Sequence, residues 1–175
     1  MENIIALLRF GLVKLFTRGL RIDKVSYIGR NVKVITKNNG KIICEGKIRL
    51  DSYAELESLG EIKLGNHFVL NSYSRVVAHE QICIGENVVI ARFVSILDHD
   101  HALGKEKGTF ELRGYTTAPI KIGNNVWIGD KVSILKGVTI GDNVIIGANA
   151  VVTKDIPSNV VAGGVPAKIV KEIDF

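Results

Sequence analysis

The chain has 175 residues, 46% hydrophobic and 23% charged, which is an ordinary composition for one globular domain with a substantial core. Its formal net charge of +5 is too small to indicate nucleic-acid binding without a basic stripe, and it suits an anionic ligand equally well. Cys44 and Cys83 lie far apart and form no CxxC pair, so they predict buried, reduced thiols in a cytoplasmic protein.

Residues 1–23 are unusually apolar, although Arg9, Lys14 and Arg18 interrupt them. No charge-free run approaches the roughly 20 residues that span a membrane, and no clear small-residue cleavage site marks a signal peptide. The apolar residues share one face of a helical wheel, which predicts an amphipathic helix. Two interpretations stay open: the helix packs on its own domain or on a neighbouring subunit, or it makes a peripheral contact with a membrane surface.

A six-residue period organises most of the remaining chain. Residues 24–63 combine strand-like and turn-like stretches without register, and the period is loose between Leu64 and Arg75. It is clearer between Ile84 and Leu97, and it is strict from residue 122 onwards. In the strict part, the first residue of each six-residue unit is aliphatic and is predicted to point inward: Ile122, Ile128, Ile134, Ile140, Ile146 and Val152. A second inward series follows four residues after each: Val126, Val132, Val138, Val144, Ala150 and Ile156.

This period predicts a triangular prism of stacked strands. Six residues suit a short strand followed by a corner, so three units complete one coil. Coils then repeat at about 4.8 Å, and each buries its aliphatic residues only against the next coil. Glycine and asparagine tolerate the left-handed backbone of tight corners, and asparagine recurs as Asn87, Asn125, Asn143 and Asn149. We therefore predict an all-β, parallel β-helix over residues 24–170, with a short tail at 171–175.

The period stops at residues 98–118, which read DHDHALGKEKGTFELRGYTTA. This polar, glycine-containing insertion predicts a loop that protrudes from one corner of the prism, and such loops often carry functional residues. His99 and His101 lie at the root of the loop, where a stiff coil can position them.

Two stretches resemble the hexapeptide-repeat O-acetyltransferases, in particular the galactoside and maltose acetyltransferases and, more broadly, the surface-polysaccharide acetyltransferases. They read IGENVVIARFVSILDHDH and APIKIGNNVWIGDKVSILKGVTIGDNVIIGANAVVTKDIPSNVVAGGVPAKIVKEI. The resemblance covers about residues 64–173, and the chain before them matches poorly. It implies a left-handed β-helix, a hand that departs from the usual right-handed crossover and that the period alone does not give.

The resemblance also implies direct acetyl transfer from acetyl-CoA to a hydroxyl of a saccharide or sugar nucleotide, without a metal, at the interfaces of a homotrimer. An alcohol attacks poorly until its proton is being removed, and imidazole accepts protons near neutral pH. Counting from Ile84, the resemblance places the base at His101, with His99 as the alternative because the loop beyond is longer than in the family pattern. Asp98 or Asp100 is then expected to bind the second imidazole nitrogen.

Further site residues follow from the same resemblance. Asn71 matches an asparagine that contacts the reacting region, and the backbone N–H of Asp130 matches a donor to the thioester oxyanion. Trp127, the only tryptophan, takes an outward position that a subunit contact or the pantetheine arm of CoA would cover. The other expected CoA contacts are Ala148, Thr153, Lys154, Lys168 and Lys171. The last two replace arginines of the family pattern, so they keep the positive charge but lose bidentate geometry.

Three alternatives stay open. An N-acetyltransferase acting on an amino sugar or an antibiotic would use the same scaffold and base. A zinc lyase of the γ-carbonic anhydrase type shares the prism but needs three converging histidines, and His79, His99 and His101 lack the spacing of that class. His99 and His101 nevertheless face the same side of a strand. A purely structural prism would lack the CoA motif, which this chain contains.

Overall fold

A computed structural model describes residue 11 and residues 17–106 and 108–174 of the chain. Within these residues the chain forms twenty β-strands. The strands are β1 (Leu20–Ile28), β2 (Lys33–Thr36), β3 (Lys41–Leu50), β4 (Glu55–Ser58), β5 (Glu61–Leu64), β6 (Phe68–Leu70), β7 (Arg75–Ala78), β8 (Gln81–Ile84), β9 (Val89–Ile90), β10 (Ser95–Leu97), β11 (His99–Glu106), β12 (Thr109–Thr117), β13 (Ile120–Ile122), β14 (Trp127–Ile128), β15 (Ser133–Ile134), β16 (Thr139–Ile140), β17 (Val144–Ile146), β18 (Val151–Val152), β19 (Val160–Gly163) and β20 (Lys168–Glu172).

The strands stack into a triangular prism with three faces. Face 1 consists of the first half of β3 with β5, β8, β13 and β16, and face 2 consists of the second half of β3 with β6, β9, β14, β17, β19 and β20. Face 3 is the six-stranded sheet of β2, β4, β7, β10, β15 and β18, and β1 pairs with β3. All these neighbours run parallel except β19 and β20, so the predicted all-β parallel β-helix is confirmed.

Aliphatic residues fill the inside of the prism in columns along its axis. Every residue of the two predicted inward series has a relative exposure of 5% or less, which confirms both series. One column on face 1 passes through Ile62, Ile82 and Ile120, which pair directly across neighbouring strands. Because each coil shields the apolar residues of the next, the coils stabilise one another.

The corners carry the left-handed residues that turn the chain from face to face. Corner 1 joins faces 2 and 3, corner 2 joins faces 1 and 2, and corner 3 joins faces 3 and 1. At corner 2, Asn87, Asn125, Asn143 and Asn159 stack with φ between 55° and 62°. Each side-chain N–H donates to the next side-chain oxygen, at 3.2, 3.1 and 2.9 Å. The predicted asparagine corners are confirmed, with Asn149 at corner 1 (φ 60°).

The insertion at residues 98–118 is an ordered hairpin, where the sequence predicted a protruding loop. Its strands β11 and β12 pair antiparallel, with a register shift between His101 and Leu103. Residues with high strand propensity, such as Thr109, Phe110 and Tyr115, favour pairing over an open loop. Gly108 takes a φ of 81° at the tip, which supports the tight reversal. The hairpin leaves the prism at corner 3, between β10 and β13.

Both ends of the chain differ from the predicted boundaries. The predicted helix at residues 1–23 mostly lies outside the described residues, as does the membrane contact proposed for it. Its last four residues, from Leu20, belong to β1 instead, because Ile22 alternates into the prism core. Lys171 and Glu172 of the predicted tail belong to β20, which pairs with β19. The part of the chain that the structure describes contains no helix of the length and apolarity needed to cross a membrane.

The two cysteines are separate thiols on face 1. Cys44 is buried as predicted, whereas Cys83 is only half-buried on the outer side of β8. Burial raises the pKa of the Cys44 thiol to about 12, so this thiol stays protonated and unreactive near neutral pH.

Replacing Ile120 by alanine should open a space in the inner column of face 1. The side chain is fully buried, so the free energy of unfolding should fall by about 2–5 kcal/mol. Lys121→Ala, on the exposed side of the same strand, is the matched control and should change it by less than about 0.5 kcal/mol. Urea denaturation followed by circular dichroism measures both variants, and equal losses would contradict the inward assignment of Ile120.

Candidate functional site

Corner 3 contains a fully buried carboxylate at the root of the hairpin. Asp98 directly follows β10 and has a relative exposure of 0%. Its oxygens accept hydrogen bonds from the backbone N–H groups of His79, Glu80 and Gln81 at 2.7, 2.8 and 2.8 Å. These groups belong to the same corner of the preceding coil. Asp98 therefore ties two coils together where the hairpin leaves the prism, and the three donors offset the cost of burying its charge.

His79 and His99 form a stacked pair beside this carboxylate. Their ring centroids lie 3.5 Å apart, with an interplanar angle of 6°. Nδ1 of His99 lies 3.3 Å from Oδ1 of Asp98. When Nδ1 donates its proton to the carboxylate, Nε2 keeps the lone pair that a general base needs. Asp98 therefore orients His99. The sequence led us to expect Asp98 or Asp100 on the second nitrogen of the proposed base, His101, and no hydrogen bond joins either carboxylate to that ring among the described residues.

His101 lies on the same side of β11 as His99 but remains exposed. Tyr115 pairs with it across the hairpin, and their ring centroids are 4.8 Å apart. The same tyrosine ring meets His79 edge-on at 4.4 Å and His99 edge-on at 5.5 Å. We call His79, His99, His101 and Tyr115 the histidine cluster.

The stacked arrangement favours neutral imidazole at His79. Burial lowers the pKa of His79 below its usual value, and the neighbouring His99 lowers it further. The pKa of His79 is lower in the folded than in the unfolded chain. The contribution of neutral His79 to the free energy of unfolding is therefore fully present above the ordinary histidine pKa of about 6.5. It is lost as the pH falls through the lowered pKa. The cluster is therefore most stable in the pH range where imidazole can accept a proton.

Lys136 anchors the root of the hairpin to the next coil. Asp100 points to the opposite side of β11 from the two histidines that flank it. Its Oδ2 lies 3.3 Å from Nζ of Lys136, and the same ammonium group donates a hydrogen bond to the hydroxyl of Thr116 on β12. Both strands of the hairpin are therefore held to the prism by one side chain.

A pocket of about 380 Å³ lies beside corner 1. Trp127, which is 55% exposed, forms one wall as its outward position predicted. The rest of the lining is mostly small or aliphatic and includes Ala91, Gly129, Asp130, Gly147 and Ala148. A narrow, largely apolar ligand chain suits such a pocket.

Two predicted residues border this pocket with defined hydrogen bonds. The Asp130 carboxylate accepts the backbone N–H of Arg92 at 2.9 Å, whereas the backbone N–H of Asp130 has no hydrogen-bond partner among the described residues. Asn71 lies one coil below Ala91 and donates its amide N–H to the carbonyl oxygen of Ile90 at 2.9 Å. The pocket therefore has an available backbone donor at Asp130 and an oriented amide below it.

Eight of the ten predicted site residues fall into two groups on different corners. The group at corner 3 is His99, His101, Thr153 and Lys154. The group around the pocket at corner 1 is Asn71, Trp127, Asp130 and Ala148. Lys168 and Lys171 are exposed on β20, at the end of face 2. Because face 3 separates the two corners, one chain does not bring its histidine cluster to its own pocket.

Among the described residues, no group of three His, Cys, Asp or Glu side chains is arranged to hold a metal ion. His79 and His99 stack face to face, which turns their nitrogens along parallel planes rather than toward one point. The zinc-lyase alternative therefore gains no support.

Sequence reasoning gave no role to His79, Tyr115 or Lys136. The signal for His79 is the coil length in this part of the prism, since Arg75 pairs with Ser95 at a separation of 20 residues. The same separation places His79 directly against His99. Tyr115 and Lys136 depend on the hairpin and its register, which no period in the insertion reveals.

Comparison with known proteins gives consistent results. Residues 119–154 match the family model of the bacterial transferase hexapeptide, six repeats. The chain is 46% identical over 114 residues to a galactoside O-acetyltransferase of Escherichia coli strain K12, covering 65% of this chain and 55% of that protein. It is 34% identical over 169 residues to an E. coli K12 protein provisionally named lipopolysaccharide biosynthesis O-acetyl transferase WbbJ, covering 92% and 83%.

A solved structure of a galactoside acetyltransferase in complex with coenzyme A is also similar. It is 32% identical, with a TM-score of 0.60 over 95% of this chain and 70% of that chain. The chain thus spans 55% of the galactoside relative from E. coli K12 but 83% of WbbJ. These likenesses support the left-handed sense of the β-helix that the resemblance implied.

Lys136→Met should loosen the root of the hairpin, because it removes one ion pair and one hydrogen bond. These contacts are worth about 1 kcal/mol together, so the backbone amides of residues 100–102 and 115–117 should exchange with D₂O about 3- to 10-fold faster. Asp100→Asn, which keeps a hydrogen-bond acceptor, should have a smaller effect. Lys121→Met is the control for a lysine away from the hairpin. Unchanged exchange in Lys136→Met would show that Lys136 is not the anchor.

Proposed function

The chain belongs to the hexapeptide-repeat acetyltransferases, and we propose that it transfers an acetyl group from acetyl-CoA to a hydroxyl group of a saccharide. One observation carries the proposal: the chain has both an exposed imidazole, His101, in a histidine cluster that Asp98 holds in place, and an apolar pocket bordered by the available N–H of Asp130. The first can act as a general base, and the second can hold a thioester and its oxyanion. The names of the two E. coli relatives favour a saccharide hydroxyl as the acceptor.

We infer that His101 is the general base. Its ring is exposed, whereas His79 covers one face of His99 and Tyr115 meets its edge. His101 would accept the hydroxyl proton while the acceptor oxygen bonds to the acetyl carbon and the carbon–sulfur bond breaks. It would then return the proton to the departing sulfur, so that CoA leaves as a thiol. His99 is the alternative base, because Asp98 orients it.

The pocket at corner 1 fits the pantetheine arm and the thioester of acetyl-CoA. Trp127 and the small residues around it offer an apolar channel, and the Asp130 N–H can donate to the oxygen of the thioester as negative charge develops there. Asn71 lies beneath this point and can orient the acceptor.

Exposed cations are available for the phosphate groups of CoA. They are Lys154, Lys168 and Lys171, with the hydroxyl of Thr153 beside the first. A lysine ammonium interacts with a phosphate as a point charge, without the fixed two-bond geometry of arginine.

The same geometry leads us to propose a homotrimer. A complete site needs corner 3 of one protomer next to corner 1 of another, because face 3 keeps them apart within one chain. A three-fold arrangement with face 3 toward the axis places these corners side by side in each of three equivalent interfaces. Each interface would then hold one site.

His101→Ala should lower the turnover of an identified saccharide acceptor by about 10²- to 10⁴-fold, because it removes the proton acceptor. Binding of acetyl-CoA, measured by calorimetry, should be retained. His67→Asn is the matched control, since His67 occupies the left-handed position that asparagine fills elsewhere at corner 2. It should leave turnover unchanged.

His99→Ala distinguishes the two histidines in the same assay. If His101 is the base, His99→Ala should lower turnover less than His101→Ala does, through loss of the stack on His79. A near-wild-type rate for His101→Ala together with a large loss for His99→Ala would assign the base to His99.

A further inference from the structure

Three aromatic side chains form a ladder along corner 1. Tyr53 stacks on Tyr73 with ring centroids 4.9 Å apart and an interplanar angle of 5°, and Tyr73 stacks on Phe93 at 5.1 Å and 4°. We call these residues the aromatic ladder. Within one chain each ring is about half exposed, at 47%, 53% and 52%. In the trimer proposed above, the ladder lies along the cleft between corner 1 and the neighbouring protomer's corner 3. The ladder is thus an aromatic strip that runs along the prism axis over three successive coils.

The fold itself does not require aromatic residues at these positions. The three residues have φ values of 65°, 63° and 58°, a left-handed backbone that disfavours bulky side chains. The same corner carries Asn31 in an earlier coil and Asn149 in a later one, both left-handed. Asparagine satisfies this conformation with less strain and exposes no apolar ring. Strained backbone positions and exposed apolar strips both recur at ligand-binding sites.

The ladder is continuous with the proposed reaction centre. Phe93 follows Ala91, which lines the pocket, by two residues, and Tyr73 follows Asn71 by two residues. Its upper end therefore borders the pocket, and the strip extends from there toward the N-terminal coils. A molecule bound at the pocket mouth and longer than one monosaccharide would lie along the ladder.

The polar groups around the ladder suit a saccharide. No hydrogen bond of the Tyr53 or Tyr73 hydroxyl occurs among the described residues. Arg75 lies two residues after Tyr73, and Arg92 directly precedes Phe93. Lys131 takes the left-handed position at the same corner in the next coil. No ion pair joins these three side chains to a carboxylate within the described part of the chain. Because Tyr73 is stacked on both of its faces, the ladder offers the ring edges and the outer faces of Tyr53 and Phe93. Sugars present C–H surfaces that pack on such rings and hydroxyls that hydrogen-bond to such donors.

We propose that the aromatic ladder binds an extended saccharide chain, so that the acceptor of this enzyme is an oligosaccharide or polysaccharide rather than a single sugar. Successive sugar units lie along Phe93, Tyr73 and Tyr53, while the unit to be acetylated lies at the pocket mouth beside Asn71. The inference rests on the proposed function for the reaction itself. The binding of the chain, however, is measurable without any reaction.

The test compares the wild-type chain with a ladder variant that combines Tyr53→Asn, Tyr73→Asn and Phe93→Asn. Asparagine suits all three backbone positions, which offsets part of the lost ring stacking, so the variant should fold with a melting temperature close to that of the wild type. Tyr53→Phe with Tyr73→Phe is the matched control, because it keeps the rings and removes only the hydroxyls. Melting curves establish folding before any binding is measured.

Saturation-transfer NMR and calorimetry, without acetyl-CoA, then measure binding of two probe pairs. One pair is glucose and maltohexaose, and the other is galacturonate and hexagalacturonate. The wild-type chain should bind at least one hexamer more tightly than its monomer. The ladder variant should bind that hexamer about tenfold more weakly, with the monomer affinity unchanged, whereas the ring-keeping variant should lose less.

Four outcomes would overturn the proposal. The first is that neither hexamer binds the wild-type chain more tightly than its monomer. The second is that the ladder variant binds the hexamer as the wild type does. The third is that the ladder variant loses thermal stability but still binds the hexamer. A weaker binding of acetyl-CoA alone in the ladder variant would assign the ladder to the cosubstrate and also contradict the proposal. Failure of His101→Ala to lower turnover would contradict the proposed reaction, but it would leave these binding results to stand or fall separately.

Discussion

The structure depends on one constraint: each coil can bury its aliphatic residues only against the coils above and below it. This forces the coils into register, so that equivalent residues of successive coils form straight columns. The columns inside the prism are aliphatic, and those at the corners are polar or aromatic. A spacing along the sequence thereby becomes a contact in space, which is how the asparagine stack, the aromatic ladder and the stacked His79–His99 pair all arise.

The same rigidity explains how an insertion can carry reactive groups. A hairpin held only by its own strands would move relative to the prism, and fixing it for the reaction would cost conformational entropy. Instead, the buried Asp98 carboxylate fixes its start to the preceding coil, and Lys136 fixes both of its strands to the next one. The imidazoles at its root are therefore held in fixed positions relative to the prism. A general base needs such fixed positions to meet a hydroxyl in a defined geometry.

The sequence predicts the prism well where the period is strict, because every sixth residue must point inward. Ile122 to Val152 illustrate this, since all the predicted inward positions are buried. The sequence predicts less about the first coils. Their length is 20 residues, which is not a multiple of six, and β1 pairs with β3 through two irregularities. The predicted helix at residues 1–23 extended over Leu20 and Ile22, which alternate as a strand does.

Within the candidate site, the sequence could identify His99 and His101 but not their different surroundings. The burial of Asp98 arises from three backbone donors of another coil, and no local pattern announces it. His79 and Tyr115 join the cluster only through the coil spacing and the hairpin register. The separation of the cluster from the pocket is likewise a property of the three-faced prism, and it leads to the central claim that each site is shared between two protomers.

Complementation between two inactive variants tests this claim most directly. His101→Ala disables corner 3, and Ala148→Trp fills the pocket at corner 1 from an exposed position. Each variant alone should be inactive, but co-refolding them in equal amounts should restore about a quarter of the wild-type acetyl transfer, because a quarter of the interfaces then join two intact corners. No recovery in mixed trimers would contradict a shared site and would place the whole reaction within one chain.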